Sequence, residues 1–235
     1  MQLTALQIMR QAAAELGLTV PTEVAASTEV TGQQLLAHLN SAGLDLIAVY
    51  PWQELNVTYT FSTVTAQAGY DLPSDYEYYI DQTFWSAADG EPVYGPVSPQ
   101  VWQRIVAGSV ALPADRLFRV HRGQMELLPA PSDIENMTYQ YVSNLWVQCS
   151  MSPPTCKSLI TADADIPILD ANLLIKALKV KMWASKGMDT TTLTGELTGL
   201  FNSLTGKDKG ATVLSISKRS RGSLLGPNNA PEGNW

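Results

Sequence analysis

The sequence predicts an α+β fold: a helical bundle formed by N- and C-terminal helices, an antiparallel β-domain inserted between them, and an extended C-terminal arm. Three observations predict it. Apolar residues recur at three- and four-residue steps near both ends of the chain, they alternate in the middle, and residues 207–235 as a whole show neither period. At 235 residues and 45% hydrophobic content the chain can bury a substantial core. The expected divisions are 1–51 and 151–206 for the two halves of the bundle, 52–150 for the β-domain and 207–235 for the arm.

Thr4 and Gln7 have capping-box form, and Leu6, Met9, Ala13 and Leu16 follow at helical spacing up to Gly17. Leu35, Leu39, Ala42, Leu46 and Tyr50 predict a second helix that Pro51 ends, and the two helices are expected to form a hairpin. From Trp52 the period changes to two. Leu55, Val57, Tyr59 and Phe61 alternate with polar residues, which predicts a strand with one buried face.

In LPSDYEYYIDQTFW (residues 72–85), Ser74 and Glu77 read as another capping box, with Tyr76, Tyr79, Ile80 and Phe84 at helical spacing behind it. A short docked helix is expected there. Ser98 before Pro99 predicts a second short helix, with Trp102, Ile105 and Val106 on one face. Phe118 and Val120, a turn near Arg122 and Gly123, and Met125 and Leu127 predict a hairpin that ends before Pro129. Met137, Tyr139 and Tyr141 predict a further strand that runs on through Leu145 and Val147. After Pro167 the helical period returns with Leu169, Leu173, Ala177, Val180 and Ala184, and Asp170 stands near the positive end of that helix dipole. Leu193, Leu197, Leu200, Phe201 and Leu204 make a final helix that Gly206 is expected to end. Trp235, a large aromatic on a polar tail, is an anchor of the kind that fits a partner's pocket.

Charge is unevenly distributed. Between Arg10 and Arg104 there is no Lys or Arg, while eleven Asp and Glu fall there; from Lys207 onward five bases stand against Asp208 and Glu232. Residues 1–206 carry ten bases against twenty acids, a balance that repels a nucleic-acid duplex rather than holding it. The N-terminal helix is too interrupted by Gln7, Arg10 and Gln11 for a signal peptide, and no stretch is apolar enough to span a bilayer, so assembly in the cytoplasm is expected. The glycosylation patterns at Asn56 and Asn136 are then without meaning.

The chemistry-bearing residues are sparse. Asp75 and Glu77 fit the first turn of the expected helix better than a catalytic carboxylate pair, which needs two acids facing each other across a cleft. His38 and His121 lack an accompanying serine or cysteine nucleophile motif. Cys149 and Cys156 with two distant histidines make no zinc site and read as free thiols or a small loop disulfide. Asp163, Asp165 and Asp170 lack the glycine and final glutamate of a calcium loop and are expected at helix starts. No phosphate-binding loop or dinucleotide fingerprint occurs. No enzyme, no cofactor and no metal are expected.

An ordered set of phrases does carry a resemblance. LGLTVPTEV, PWQELNVTYTFSTV, LPSDYEYYIDQTFW, GPVSPQVWQRIVAG, FRVHRGQMELLPAP, YQYVSNLWV and ITADADIPILDANLLIKALKVKMWASKGMD, running from Leu3 to Leu204, resemble the head-to-tail adaptor proteins of short-tailed bacteriophages. The resemblance implies a bundle built from both chain ends with a β-domain between. It implies a structural virion protein at the head–tail neck: a dodecameric homo-oligomeric ring between portal protein and tail nozzle protein, through which DNA passes without sequence-specific binding. The tail beyond Lys207 lies outside the resemblance, but adaptors of this kind commonly grip the portal with an extended C-terminal arm, in which Leu214, Ile216, Leu224, Leu225 and Trp235 would be the apolar anchors and Lys218, Arg219 and Arg221 would meet acidic portal surface. Asp71, Asp81 and Glu91 would then belong to an acidic channel or subunit face. The arginines that members often carry between the Trp and the Gly-Pro are missing between Trp85 and Gly95, so no basic contact carries over there. The alternative of another class is a virion carbohydrate-binding module that stacks sugars on Tyr76, Trp85 or Trp102. Ring exposure separates the two: helical spacing predicts that Tyr76 and Trp102 are buried.

Overall fold

The computed structural model describes residues 2–87, 90–108, 115–148 and 156–208. In chain order the elements are α1 (Ala5–Glu15), α2 (Val30–Val49), a 3-10 turn (Gln53–Leu55), β1 (Asn56–Ser62), β2 (Gly69–Asp71), β3 (Tyr76–Tyr79), β4 (Trp85–Ser86), α3 (Pro99–Val106), β5 (Leu117–His121), β6 (Gln124–Leu128), β7 (Asn136–Ser143), β8 (Val147–Gln148), β9 (Cys156–Lys157), β10 (Ile166–Pro167), α4 (Ala171–Ser185) and α5 (Thr191–Asp208). Helices and antiparallel sheets together make the fold α+β. The arm residues Leu214, Ile216, Lys218, Arg219, Arg221, Leu224, Leu225 and Trp235, and also Cys149, lie outside the described residues.

The capping box of α1 forms as the sequence suggests: the Gln7 amide donates to Thr4 Oγ1 (3.3 Å) and the Thr4 amide to Gln7 Oε1 (3.0 Å). The expected α1–α2 hairpin is not the main contact. Both helices pack chiefly on α4, which also contacts α5. The reason is the width of the apolar face of α4: Leu173, Leu174, Ile175, Ala177, Leu178 and Met182 are all buried, too wide a band for one neighbour to cover. The apolar residues of α5, Leu197, Leu200, Phe201 and Leu204, lie partly buried against the same core. Asp170 caps α4 by accepting the Leu173 amide at 3.0 Å.

Trp146 is fully buried in this bundle core and donates from Nε1 to the Ser158 carbonyl at 2.7 Å. Its indole lies against Gly43 of α2, where an added Cβ would fall 2.3 Å from Cη2 and Cζ2. Glycine inside a helix costs roughly 1 kcal/mol against alanine, and here the space it leaves is occupied.

The β-region centres on β7, with β1 along one side and β3 and β4 along the other; β10-β8-β9 and β2-β6-β5 form two three-stranded sheets. A second core, largely aromatic, gathers Tyr79, Phe84, Phe118, Met125, Leu127, Met137, Tyr139 and Tyr141. Phe118 meets Tyr79 edge-on at 4.9 Å and Phe84 at 5.1 Å. The β5–β6 hairpin turns at Arg122 (φ 51°) and Gly123 (φ 75°), two left-handed positions that a two-residue turn requires.

Five local expectations are corrected. Residues 72–85 form β3 and β4, not a helix. The tyrosines favour strand as readily as helix, and pairing with β7 decides, while the Asp75 carboxylate accepts from Tyr141 Oη (2.8 Å) and Ser143 Oγ (2.7 Å) instead of entering a helical turn. The strand from Met137 stops at Ser143; Val147 belongs to another sheet, with Trp146 turned into the bundle core between them. The expected buried face of β1 is only partly covered: Leu55 is buried in the 3-10 turn, Tyr59 and Phe61 are half-buried and Val57 is exposed, because β1 is the sheet's edge. In α3 Trp102 is buried but Val106 is 58% exposed, since a helix this short docks through one side chain. Finally, α5 runs past Gly206 to Asp208, where Gln53 holds its end.

Candidate interaction surfaces

At one end of the bundle, the starts of α1 and α4 meet the end of α5 around a cleft of ≈ 450 Å³ lined by Leu3, Trp52, Glu54, Asp170, Leu204, Lys207 and Asp208 among others. Trp52, which lines it, is held in an aromatic group. Tyr50 and Trp52 meet edge-on at 4.8 Å, Phe201 completes the group at 5.9 Å from Trp52, and Trp52 Nε1 donates to the Leu46 carbonyl at 2.9 Å. The amide of Gln53 donates to Asp208 Oδ2 (3.3 Å) and its side chain to the Asp208 carbonyl (2.6 Å). The departure point of residues 209–235 is thereby pinned beside the 3-10 turn that leads into β1.

The three acidic residues singled out for a channel or subunit face are all exposed, on different elements. Asp71 ends β2 and accepts from Gln124 Nε2 at 2.9 Å; Asp81 follows β3 and Glu91 follows β4. None of them makes an ion pair with a described residue. Other acids of the same base-free segment do find cations from far along the chain: Lys179 reaches Glu15 at 2.6 Å and Lys181 reaches Asp45 at 2.5 Å. The Lys179 hydrogen bond holds the Glu15 carboxyl below its ordinary range. Folding thus ties acidic α1 and α2 to basic α4, and leaves Asp71, Asp81 and Glu91 of the β-region exposed.

Among the described residues no group of three or more His, Cys, Asp and Glu is arranged to hold a metal. Asp163 accepts the amides of Val24 (3.2 Å) and Ala25 (2.9 Å), tying the α1–α2 loop to the α4 side. Asp165 is 2% exposed and accepts from Lys157 Nζ (2.8 Å) and the amides of Thr161 and Ala162. Burial pushes its carboxyl up, but these donors hold it below its ordinary value. Only Asp170 of the three is a helix-start acid. His38 is half-buried on α2, and burial with nearby Lys181 lowers its pKa; His121 lies 3.3 Å from Glu126 at the hairpin turn.

Of the three aromatic rings considered for sugar stacking, Trp102 is 6% exposed and covered by the Arg119 guanidinium at 4.3 Å, and Tyr76 is half-buried and stacked on Tyr141 at 5.7 Å. Trp85 is 45% exposed, beside a shallow surface of Thr58, Thr83, Thr138 and Gln140.

Two polar clusters were not legible beforehand. Glu135, 8% exposed, takes Ser86 Oγ at 2.7 Å and an ion pair from Arg116; burial raises its carboxyl, and these partners bring it below the ordinary range. Asn40 grips the backbone of Ile160 in both directions, donating to its carbonyl (3.1 Å) and accepting its amide (2.8 Å). A polar residue on the flank of an apolar helical stripe was the only available signal for Asn40. The described residues contain no helix long and apolar enough to cross a membrane.

Compared with known families, residues 3–208 match the model of the SU10 adaptor protein. No curated protein matches the chain.

Proposed function

This chain belongs to the SU10 adaptor protein family, and from that premise we propose that copies of it form a ring joining the capsid portal of a short-tailed phage to its tail nozzle, around the DNA exit channel. The coarser conclusion is that it is a phage structural adaptor, a component of the virion. The single observation that carries the proposal is the family match over residues 3–208, which takes in the bundle, the β-region and the whole of α5.

The geometry supports it in two ways. A closed ring needs heterologous contacts, one face of each subunit meeting a different face of the next, and this chain pairs exposed acids of the β-region, Asp71, Asp81 and Glu91, with a basic C-terminal segment. The end of α5 is held by Gln53, so the segment that the portal would receive, with Leu214, Ile216, Leu224, Leu225 and Trp235 as anchors and Lys218, Arg219 and Arg221 as charges, starts from a fixed point. Asp71, Asp81 and Glu91 are exposed as a channel or subunit face requires. Negative-stain imaging of the purified protein with and without its portal protein tests this. Rings of about a dozen copies on the portal are expected; a protein that stays monomeric and ignores the portal refutes it.

Exposed Trp85 beside threonine and glutamine side chains favours one second reading, a carbohydrate-binding surface. Glycan-array binding lost in Trp85→Ala would establish it, and ring formation unaffected by that substitution would keep it separate from the adaptor role.

A further inference from the structure

Among the described residues, strand β1 is an unguarded sheet edge. Its seven residues, Asn56–Ser62, pair with β7 in unbroken register with no bulge, and they include no charge and no proline. Natural edges are normally protected by one of those devices, because a straight row of unpaired amides and carbonyls is a template for another strand. The direction of the free groups follows from the ladder. Thr63 donates to the Glu135 carbonyl, while on the far side of β7 Ile80 and Ala87 donate to the carbonyls of Gln140 and Asn136. Alternation then directs Val57, Tyr59 and Phe61 toward β7 and leaves the backbone groups of Thr58, Thr60 and Ser62 pointing outward. The close side-chain contacts Thr60 Oγ1 to Thr138 Oγ1 (3.0 Å) and Ser62 Oγ to Asn136 Oδ1 (2.8 Å) fit that assignment, since pairs without backbone bonds stand closest.

Residues 211–217, beyond the described part of the chain, offer a match. Ala211, Thr212, Val213, Leu214, Ser215, Ile216 and Ser217 equal β1 in length, are uncharged and free of glycine and proline, and include three β-branched residues. Basic residues bracket them: Lys209 before, and Lys218, Arg219 and Arg221 after. Acids bracket β1: exposed Glu54 precedes it, and exposed Asp133 lies beside its far end, where Thr63 Oγ1 donates to the Asp133 carbonyl at 2.9 Å.

We infer that the outer edge of β1 receives residues 211–217 of a second copy of this chain, as an added strand between neighbouring subunits. The inference rests on the ring reading above and names one of the heterologous contacts such a ring requires; it assigns Leu214 and Ile216 to the neighbouring subunit and leaves Leu224, Leu225 and Trp235 as the anchors for the portal. A segment of one subunit on the edge of the next is open-ended until the ring closes, whereas two β1 edges pairing with each other would stop at a dimer.

Amide exchange on the full-length chain, followed by mass spectrometry on the peptide that carries β1, tests the contact in the free protein and in portal-bound rings. The expected result is exchange at Thr58, Thr60 and Ser62 slowed about tenfold or more in the rings, and restored in rings of the double variant Thr212→Pro, Val213→Pro, which removes donors from both alternations of the added strand and leaves every proposed portal anchor in place. Rings that form with β1 exchanging as fast as in the free chain overturn the inference and leave the ring reading standing. Protection that persists in rings of the double variant overturns it as well, because something other than residues 211–217 then covers the edge. Protection already complete in the dilute free chain assigns the edge to the chain's own segment and overturns the second copy. Absence of rings on the portal removes both readings together.

Discussion

Gly43→Ala separates two forces acting on α2 with opposite signs. Helix propensity alone predicts a gain of about 1 kcal/mol, since glycine is the poorer residue in a helix interior. Packing predicts a loss. The new Cβ would stand 2.3 Å from Cη2 and Cζ2 of Trp146 and 2.7 Å from Cε2, about 1 Å or more short of ordinary carbon–carbon contact. Trp146 has little room to retreat: its ring is 0% exposed and Nε1 is bound to the Ser158 carbonyl at 2.7 Å. Overpacking costs about 1–3 kcal/mol, and a rigid, anchored indole places this site near the top of that range. Set against the propensity gain, the net expectation is a loss of about 2 kcal/mol, which in a chain of this size lowers the melting temperature by about 4–8 °C. Thermal unfolding followed by far-ultraviolet circular dichroism measures it. The cost of the substitution should shrink in a Trp146→Phe background, because the clash is with the indole. A Gly43→Ala protein that melts at or above the wild-type temperature would refute the packing argument.

Three further outcomes follow from the polar contacts. Asp165→Asn should cost about 2 kcal/mol at neutral pH, the scale of hydrogen bonds to a charged group; since the folded pKa lies below the ordinary 3.8, the wild-type advantage should be complete above that value and vanish as pH falls through the folded one, as urea titrations at a series of pH values would show. Asn40→Ala should destabilise by about 1–3 kcal/mol, because the amide and carbonyl of Ile160 lose their partners, and a chemical-denaturation curve superposable on wild type would count against this bracket between α2 and the 156–170 loop. His38, whose pKa is lowered by burial and by Lys181, should make the wild type lose stability as pH falls below the ordinary 6.5, and His38→Gln should flatten that slope in melts between pH 7 and pH 5.

The helices were the most legible part of the chain. Thr4 with Gln7, Ser98 with Pro99 and Asp170 each cap a helix as local chemistry dictates, because a cap involves residues only three apart. The hairpin at Arg122 and Gly123 was legible for the same reason. Residues 72–85 were not: Tyr76, Tyr79, Ile80 and Phe84 satisfy a helical period, yet their partners on β7 lie about sixty residues away in sequence, and a propensity of a few tenths of a kcal/mol yields to a ladder of that kind. The surfaces were less legible still. The base-free run from residue 11 to residue 103 read as one acidic block, but Lys179 and Lys181 reach back to Glu15 and Asp45 only because α4 lies against both α1 and α2.

What the sequence by itself determined is therefore what short-range stereochemistry determines: helix starts, turn positions, the alternation of the β-region, the opposite charge of body and C-terminal segment, and the family, which is carried by ordered phrases along most of the chain. What only the tertiary structure decided is which acids remain unpaired among the described residues, which rings are covered, that Gly43 makes room for Trp146, and that no described strand covers the outer edge of β1. Each of these depends on residues brought together from distant parts of the chain, and such proximity arises from burying two cores at once rather than from any local pattern.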